Sequence, residues 1–329
     1  MSRMLAKSTV FVLAAQLCIA MGFVGIGFAQ TPIVASQTAR IQVQIDWHAE
    51  PFYAGIYVAK AKGWFSEAGF DVEILQGNGA ANAAQLIGTS SGPIIGTSSA
   101  SETVLARAKG IPIRSLAVLM PNTPYVLVSL PRAPIAKPSD LIGRKIGVIP
   151  GTLTPDEFHA LISANGIKRD QVQEIAVDFT ATALLSGQVD ALIFSEDNVP
   201  LQLKLQGYNP TILRFRDFGV DVYSLNLIAN DQAVERRPDV LAKLVAVISR
   251  GYEFVRSDPA ESAQIFSKIF PERDQLYVRE STKVVGSLVG AGKVGEQTTQ
   301  GWSHTISTLV QLGILKVDID PGQVFVNLR

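Results

Sequence analysis

Between Arg40 and Met120 the chain switches repeatedly between two hydrophobic periodicities, and few folds accommodate that alternation. "RIQVQIDW" alternates polar and apolar residues and is predicted as a strand. "FYAGIYVAKAKGWF" brings Tyr53, Ile56, Tyr57, Ala59 and Lys60 to near-helical spacing, and Gly63 ends the helix. The pattern repeats: strand "FDVEILQG", small-residue helix "GAANAAQLIGTSSG", buried strand "GPIIGTSS", helix "SASETVLARAKG" opened by Ser99 or Ser101, strand "IPIRSLAVLM". Such an order implies a largely parallel sheet with helices on its faces.

Prolines 121, 124, 131, 134 and 138 then punctuate the chain around a strand, "YVLVSL". Strand–helix units resume in "KIGVIPGTLTPDEFHALISANGI", "VQEIAVDF", "TATALLSGQVDALIFSED" and "VPLQLKLQGYNPTILRF". "YSLNLIAND" is one more strand, and from "ERRPDVLAKLVAVISRGYEF" onward the pattern is almost wholly helical, with Leu241, Leu244, Val245 and Ile248 on one face. The predicted fold class is α/β: two lobes, each a doubly wound sheet, joined by a two-strand hinge near Asn122–Tyr125 and Val220–Ser224. Lobe one is expected to comprise residues 30–122 and 224–329, and lobe two residues 123–223.

The first residues carry a different signal. Arg3 and Lys7 precede an apolar stretch from Val10 to Ala29, closed by small residues, so residues 1–29 are predicted to be an export signal cleaved after Ala29. The alternative is retention as a membrane anchor, since the stretch is nearly long enough to span a bilayer. Leucine precedes Cys18, where a lipoprotein signal wants a small residue. Removing Arg3 and Lys7 from 29 Lys+Arg leaves 27 against 29 Asp+Glu, a net of −2. No concentrated positive field exists to bind nucleic acid. Cys18 is the only cysteine, so thiolate catalysis and zinc-thiolate sites are excluded from the exported chain.

Candidate site residues follow from the rule that open α/β sheets bind ligands beyond the carboxyl ends of their strands. Asp46, Trp47, Glu50 and Tyr53 crowd the first such end. Trp47 and Tyr53 offer stacking faces, while Asp46 and Glu50 can accept hydrogen bonds from ligand amino groups. The competing readings are core packing for Trp47 and Phe52 and a helix cap for Asp46. "GTSSASE" sets Thr97, Ser98 and Ser99 at a strand end before a helix, with Ser98 and Ser99 the expected ligand donors and a plain serine cap the alternative. Gly151 and Thr152 stand at the equivalent turn of lobe two, where "PGTLTPDEF" lacks the Gly-Lys-Ser/Thr ending of a phosphate loop. In "FSEDNV", Glu196, Asp197 and Asn198 can reach into the cleft, with Asn198 the expected hydrogen-bonding residue, and the alternative is a solvated acidic loop. Arg214 and Arg216 are expected to pair with Asp217 and Asp221 near the hinge. Three scattered histidines show neither metal-ligand spacing nor a nucleophile arrangement, and no cofactor is expected.

"DWHAEPFYAGIYVAKAKGWFSEAGFDVEI" resembles the opening of the NMT1/THI5-like solute-binding proteins, with Asp46-Trp47, Ala54-Gly55, Tyr57, Ala59, Gly63 and Phe65 in matching places. "ARAKGIPI", "KPSDLIGRKIGV", "LLSGQVDALI", "LQLKLQGYNP" and "RGYEFVRSDPAESAQIF" extend the resemblance over nearly the whole exported chain. The resemblance implies a periplasmic binding protein type II fold and a monomeric periplasmic receptor that closes on a small-molecule ligand and docks on the membrane permease of an ABC importer. It implies no enzymatic activity, and a thiamine-precursor pyrimidine as ligand. The alternatives are another small heteroaromatic, an organosulfonate or carboxylate, or a pyrimidine-synthesis enzyme. Tyr53 and the "AE" of Ala49-Glu50 depart from the family's His and Pro-Asn, both in the part the resemblance makes ligand-facing. The family's fungal synthases use a cysteine cluster that this chain lacks.

Overall fold

A computed structural model describes residues 39–90, 94–150, 152 and 154–328. The expected cleavage site after Ala29 lies outside the described residues. The first half runs β1 (Ala39–Gln44), a 3-10 turn at Pro51–Tyr53, α1 (Ala54–Ala61), α2 (Trp64–Glu67), β2 (Phe70–Leu75), α3 (Ala80–Thr89), β3 (Ile94–Ser99), α4 (Ala100–Ala108) and β4 (Ile113–Val118). There follow β5 (Tyr125–Ser129), β6 (Lys145–Val148), α5 (Thr154–Ala164), β7 (Gln173–Ala176), α6 (Thr182–Leu185), β8 (Ala191–Ser195), α7 (Val199–Leu205) and β9 (Thr211–Arg214). The chain ends with β10 (Leu225–Asn230), α8 (Asp231–Arg236), α9 (Pro238–Ser257), α10 (Pro259–Ile269), α11 (Gln275–Leu288), α12 (Thr299–Gln311) and α13 (Pro321–Val324).

Two five-stranded sheets result, ordered β2-β1-β3-β10-β4 and β7-β6-β8-β5-β9. In the first, β1 pairs in parallel with β2 and β3, whereas β10 runs antiparallel to both β3 and β4. The sheet is therefore mixed where the sequence suggested a largely parallel one. The physical reason is the route of the chain: β4 leaves this sheet for the other, and β10 re-enters it in the opposite direction. The second sheet repeats the arrangement, with β5 antiparallel to β8 and β9 and β6 parallel to β7 and β8.

The two crossovers are tied together. Leu119 N–H donates to Leu225 O at 2.8 Å, Ser224 N–H to Met120 O at 3.0 Å, and Asn122 Nδ2 to Asp221 Oδ1 at 2.7 Å. These segments form the two-strand hinge of a two-lobed α/β fold. Asp221 is thereby committed to Asn122. Arg214 and Arg216, expected to pair with Asp217 and Asp221, instead converge on Glu196, with Arg214 Nε 2.9 Å from Glu196 Oε1.

Each sheet has its own apolar core. One joins Ile41, Val43 and Ile45 of the first sheet to Ile56, Leu244, Ile248 and Tyr252 on α1 and α9. Another joins Leu127, Ile146 and Ile193 to Phe158 and Leu161 of α5. Trp64 and Phe65 are 8% and 2% exposed, core residues as their place after Gly63 implied; Gly63 itself has φ 76°, the left-handed conformation that ends α1.

Candidate functional site

Asp46 follows the last residues of β1 and is the best-anchored acid at the carboxyl edge of the first sheet. Its N–H donates to Thr97 Oγ1 at 2.9 Å, and the Thr97 hydroxyl donates back to Asp46 Oδ1. The Tyr53 hydroxyl donates to the same oxygen at 3.1 Å. Burial pushes the Asp46 carboxyl above its ordinary range, against those hydrogen bonds, which favour the charged form. The turn is held from outside by the loop after β2: Gly79 N–H donates to Asp46 O at 2.8 Å, Gly77 N–H to Trp47 O at 3.0 Å, and Ala49 N–H to Gln76 Oε1 at 2.7 Å. A Cβ on Gly77 would stand 2.5 Å from Ile45 O, so only glycine lets the two backbones close.

The aromatic residues divide. Trp47 is half-buried, and its ring lies 5.6 Å from that of Phe179, which belongs to the second sheet's carboxyl edge and is 45% exposed. Phe179 in turn sits edge-on to Phe194 at 5.1 Å. Two aromatic faces from opposite lobes thus meet across the gap. Tyr53 differs from its expected stacking role: it is 4% exposed, edge-on to Phe52 within the core, and contributes its hydroxyl to Asp46 rather than an open ring face. Burial and the Asp46 charge hold its phenol well above the usual range.

Carboxylates gather around these rings. Glu50 Oε1 accepts from Arg273 Nη1 at 2.7 Å at the mouth of a cavity of about 620 Å³ between α7 and α11, also lined by Gln202 and Tyr277. Glu157 Oε2 accepts from Thr123 Oγ1 at 2.9 Å, which ties α5 to the hinge. Asp197, at the end of β8, is 3% exposed and accepts from the Ser195 hydroxyl and, at 3.4 Å, from Ser281 Oγ on α11. Burial pushes its carboxyl up to about 6, with the Glu50 charge adding to the rise. Tyr125 is partly buried; desolvation, then the charges of Glu157, Asp46 and Asp197, raise its phenol, so acids from both lobes act on one ring. The nearby guanidinium groups are engaged, Arg273 by Glu50 and Arg214 and Arg216 by Glu196.

The remaining expected residues take other places. Ser99 caps α4, accepting from Glu102 N–H at 3.1 Å. Ser98 pairs across the ladder with Asn226, whose amide bonds Thr103 on α4, so Ser98 lies on the α4 face and not on that of Thr97 and Asp46. It is fully buried, and its hydroxyl has no hydrogen-bond partner. Asn198 precedes α7 and accepts from Gln202 Nε2 at 3.3 Å; the neighbouring Asp197 is the more buried group. Thr152 Oγ1 donates to Ile149 O at 2.8 Å, and Gly151 lies outside the described residues. His159 is half-buried with Nε2 2.9 Å from Glu174 Oε1. Among the described residues no group of three or more His, Cys, Asp or Glu could hold a metal ion. Phe179, Tyr125 and Glu157 are not among the candidates read from the sequence, although Phe179 lies just beyond β7 and so satisfies the same strand-end rule that located Trp47.

Known proteins resemble this arrangement along nearly its whole length. The formylaminopyrimidine-binding protein of Halalkalibacterium halodurans is 27% identical over 280 residues, covering 82% of this chain and 84% of that one. The riboflavin-binding protein RibY of Chloroflexus aurantiacus is 27% identical over 292 residues, covering 84% and 81%. A 4-amino-5-hydroxymethyl-2-methylpyrimidine phosphate synthase of Aspergillus parasiticus is 25% identical over 299 residues, covering 87% and 86%. The periplasmic aliphatic sulphonate binding protein SsuA of Escherichia coli superposes with a TM-score of 0.72 at 14% identity, over 89% of this chain and 93% of that one, which establishes the shared two-lobed fold. The NMT1/THI5-like family model matches residues 50–262, and the chain belongs to that family.

Proposed function

We propose that the protein is the extracytoplasmic solute-binding receptor of an ABC importer and that its ligand is a small nitrogen heteroaromatic of the thiamine-precursor pyrimidine class. The observation that carries the ligand class is the combination of the Trp47 and Phe179 faces with the carboxylates of Asp46, Glu157 and Asp197, while the nearby arginines are engaged by Glu50 and Glu196. A flat ring bearing amino groups offers a stacking surface and donors for those acids. A sulfonate or carboxylate would enter beside like charge with the guanidinium groups already paired, at a cost. In this reading Trp47 stacks on the ligand, Asp46 and Asp197 accept from its edge, Asn198 and Thr152 contribute polar contacts, and Tyr53 and Ser99 hold the walls.

The receptor consists of lobe one, residues 30–122 and 224–329, and lobe two, residues 123–223, after removal of residues 1–29. It acts as a monomer in the periplasm and delivers its ligand to a membrane permease. Binding rather than catalysis is favoured by the two relatives named as binding proteins and by the lack of any cysteine after Cys18.

A thermal-shift screen of the exported chain against aminopyrimidines, flavins, sulfonates and aromatic acids tests this. Aminopyrimidines are expected to raise the melting midpoint and sulfonates to leave it unchanged. Trp47→Ala is expected to weaken binding of the hit about 10-fold or more, a loss of about 1.4 kcal/mol or more. A response to sulfonates alone would overturn the ligand class, and iron-dependent turnover of a pyrimidine precursor would overturn the receptor reading.

A further inference from the structure

Besides the hinge, the lobes meet where α7 lies against α11. Leu201 of α7 packs against the core of the first sheet, and Ser281 Oγ of α11 donates to Asp197 Oδ2 at 3.4 Å. Asp197 belongs to lobe two and Ser281 to lobe one, so one hydrogen bond of this buried carboxylate crosses between the lobes. Its surroundings are one-sided. From its own segment Ser195 donates to Oδ1; from β5 comes Tyr125, whose phenol is also raised by the Glu157 and Asp46 charges; from the turn before α1 comes the Glu50 carboxylate; from α11 comes the Tyr277 phenol, itself raised by the Asp197 and Glu50 charges. The cation on this side, Arg273, is bound to Glu50, and among the described residues no basic side chain forms an ion pair with Asp197.

We propose that Asp197 couples lobe closure to protonation: closing α7 onto α11 buries this acid without a counterion, so closure favours its neutral form and opening favours its carboxylate. The sense of the effect follows from linkage. In the closed form burial and the Glu50 charge raise the carboxyl to about 6, while an open cleft returns it to water and the ordinary Asp value. The closed form therefore binds the proton more tightly. Its advantage is fully present below about pH 4 and is lost as pH rises through about 6, a change in the closed-to-open ratio of up to about 100-fold. At neutral pH the empty receptor is biased open by an uncompensated charge, which a ligand bearing a cationic or amino group would relieve on binding. Asp46 also has a raised carboxyl, but its partners Thr97 and Tyr53 both belong to lobe one, so its environment is not remade by closure in the same way.

The experiment needs no ligand, so its outcome is independent of the proposed pyrimidine class. Spin labels go on the exposed positions Ser66 of α2 and Ser163 of α5 through Ser66→Cys and Ser163→Cys in the exported chain, and the interlabel distance distribution is read between about pH 5 and pH 8. The short-distance population is expected to grow as pH falls through about 6. Asp197→Asn is expected to keep a large short-distance population across the range with no pH response. Ser281→Ala removes a donor that favours the charged form, so its midpoint is expected to move to higher pH. A wild-type distribution that does not change with pH, an Asp197→Asn chain that keeps the full response, or a Ser281→Ala midpoint that stays put or falls would each overturn the proposal.

Discussion

Thr97 is a single hydroxyl with two tasks, accepting from the Asp46 N–H and donating to the Asp46 carboxylate. It is fully exposed to neither water nor ligand, being 0% accessible, so its loss leaves a half-buried acid and a backbone donor without their partner. Thr97→Val preserves shape and removes both bonds. It is expected to destabilise the fold by about 1–3 kcal/mol, read as a lower urea midpoint at unchanged m-value, and to raise the Asp46 carboxyl further. A midpoint equal to wild type would mean that water replaces the hydroxyl. The residue scale is also where sequence reasoning stopped. Asp46 stands out in the sequence as an acid beside Trp47 at a strand end, and the structure gives it a structural use there as the partner of Thr97 and Tyr53. In "FSEDNV" the strand-end rule selects a turn with Glu196, Asp197 and Asn198 as candidates and favours Asn198, whereas the backbone buries Asp197 most deeply of the three. Which of three adjacent polar residues faces the gap depends on dihedrals at a turn, and period-2 or period-3.6 patterns carry no information there.

Helices α1 and α9 cross at a pair of glycines, and neither glycine is there for backbone freedom. A Cβ on Gly251 would stand 2.0 Å from Gly55 O, and a Cβ on Gly55 would enter the Tyr252 ring at 2.4 Å. Backbone packs on backbone at this crossing, with Tyr252 fully buried and its hydroxyl donating to Phe52 O at 3.1 Å in the Pro51–Tyr53 turn. Gly251→Ala must push the helices apart and is expected to cost about 1–3 kcal/mol or more, measured by urea unfolding, with a wild-type midpoint counting against the close crossing. The Ala54-Gly55 pair, matched to the family as a string, thereby gains a packing reason. Strands and helices were legible because each carries its own period. The antiparallel insertion of β10 between β3 and β4 was not, since "YSLNLIAND" is an apolar run of the same kind in either direction. Direction is decided by the path of the whole chain, beyond the reach of any local window.

At the scale of the molecule, two crossovers must bend together for the lobes to close, and the Asn122–Asp221 hydrogen bond links them side by side. The backbone bonds between Met120 and Ser224 and between Leu119 and Leu225 anchor the lobe-one end of the same segments. On the lobe-two side Glu157 holds Thr123, whose hydroxyl also accepts from Tyr125 N–H at 3.3 Å. The hinge is thus clamped at both ends, with the Asn122–Asp221 bond in the stretch between them. Asp221→Ala frees the two strands to move separately while touching neither ring nor acid in the cleft. The contacts with a bound ligand remain, but the closed arrangement is less favoured, so the loss should fall on dissociation. Ligand is expected to leave about 10-fold faster, equivalent to about 1.4 kcal/mol, with association changed much less. Stopped-flow release from the exported chain, with the hit of the thermal-shift screen, measures both rates. Equal slowing of association with unchanged release would place the Asn122–Asp221 bond in the open form instead, and identical rates would assign the hinge geometry to its backbone pairs alone.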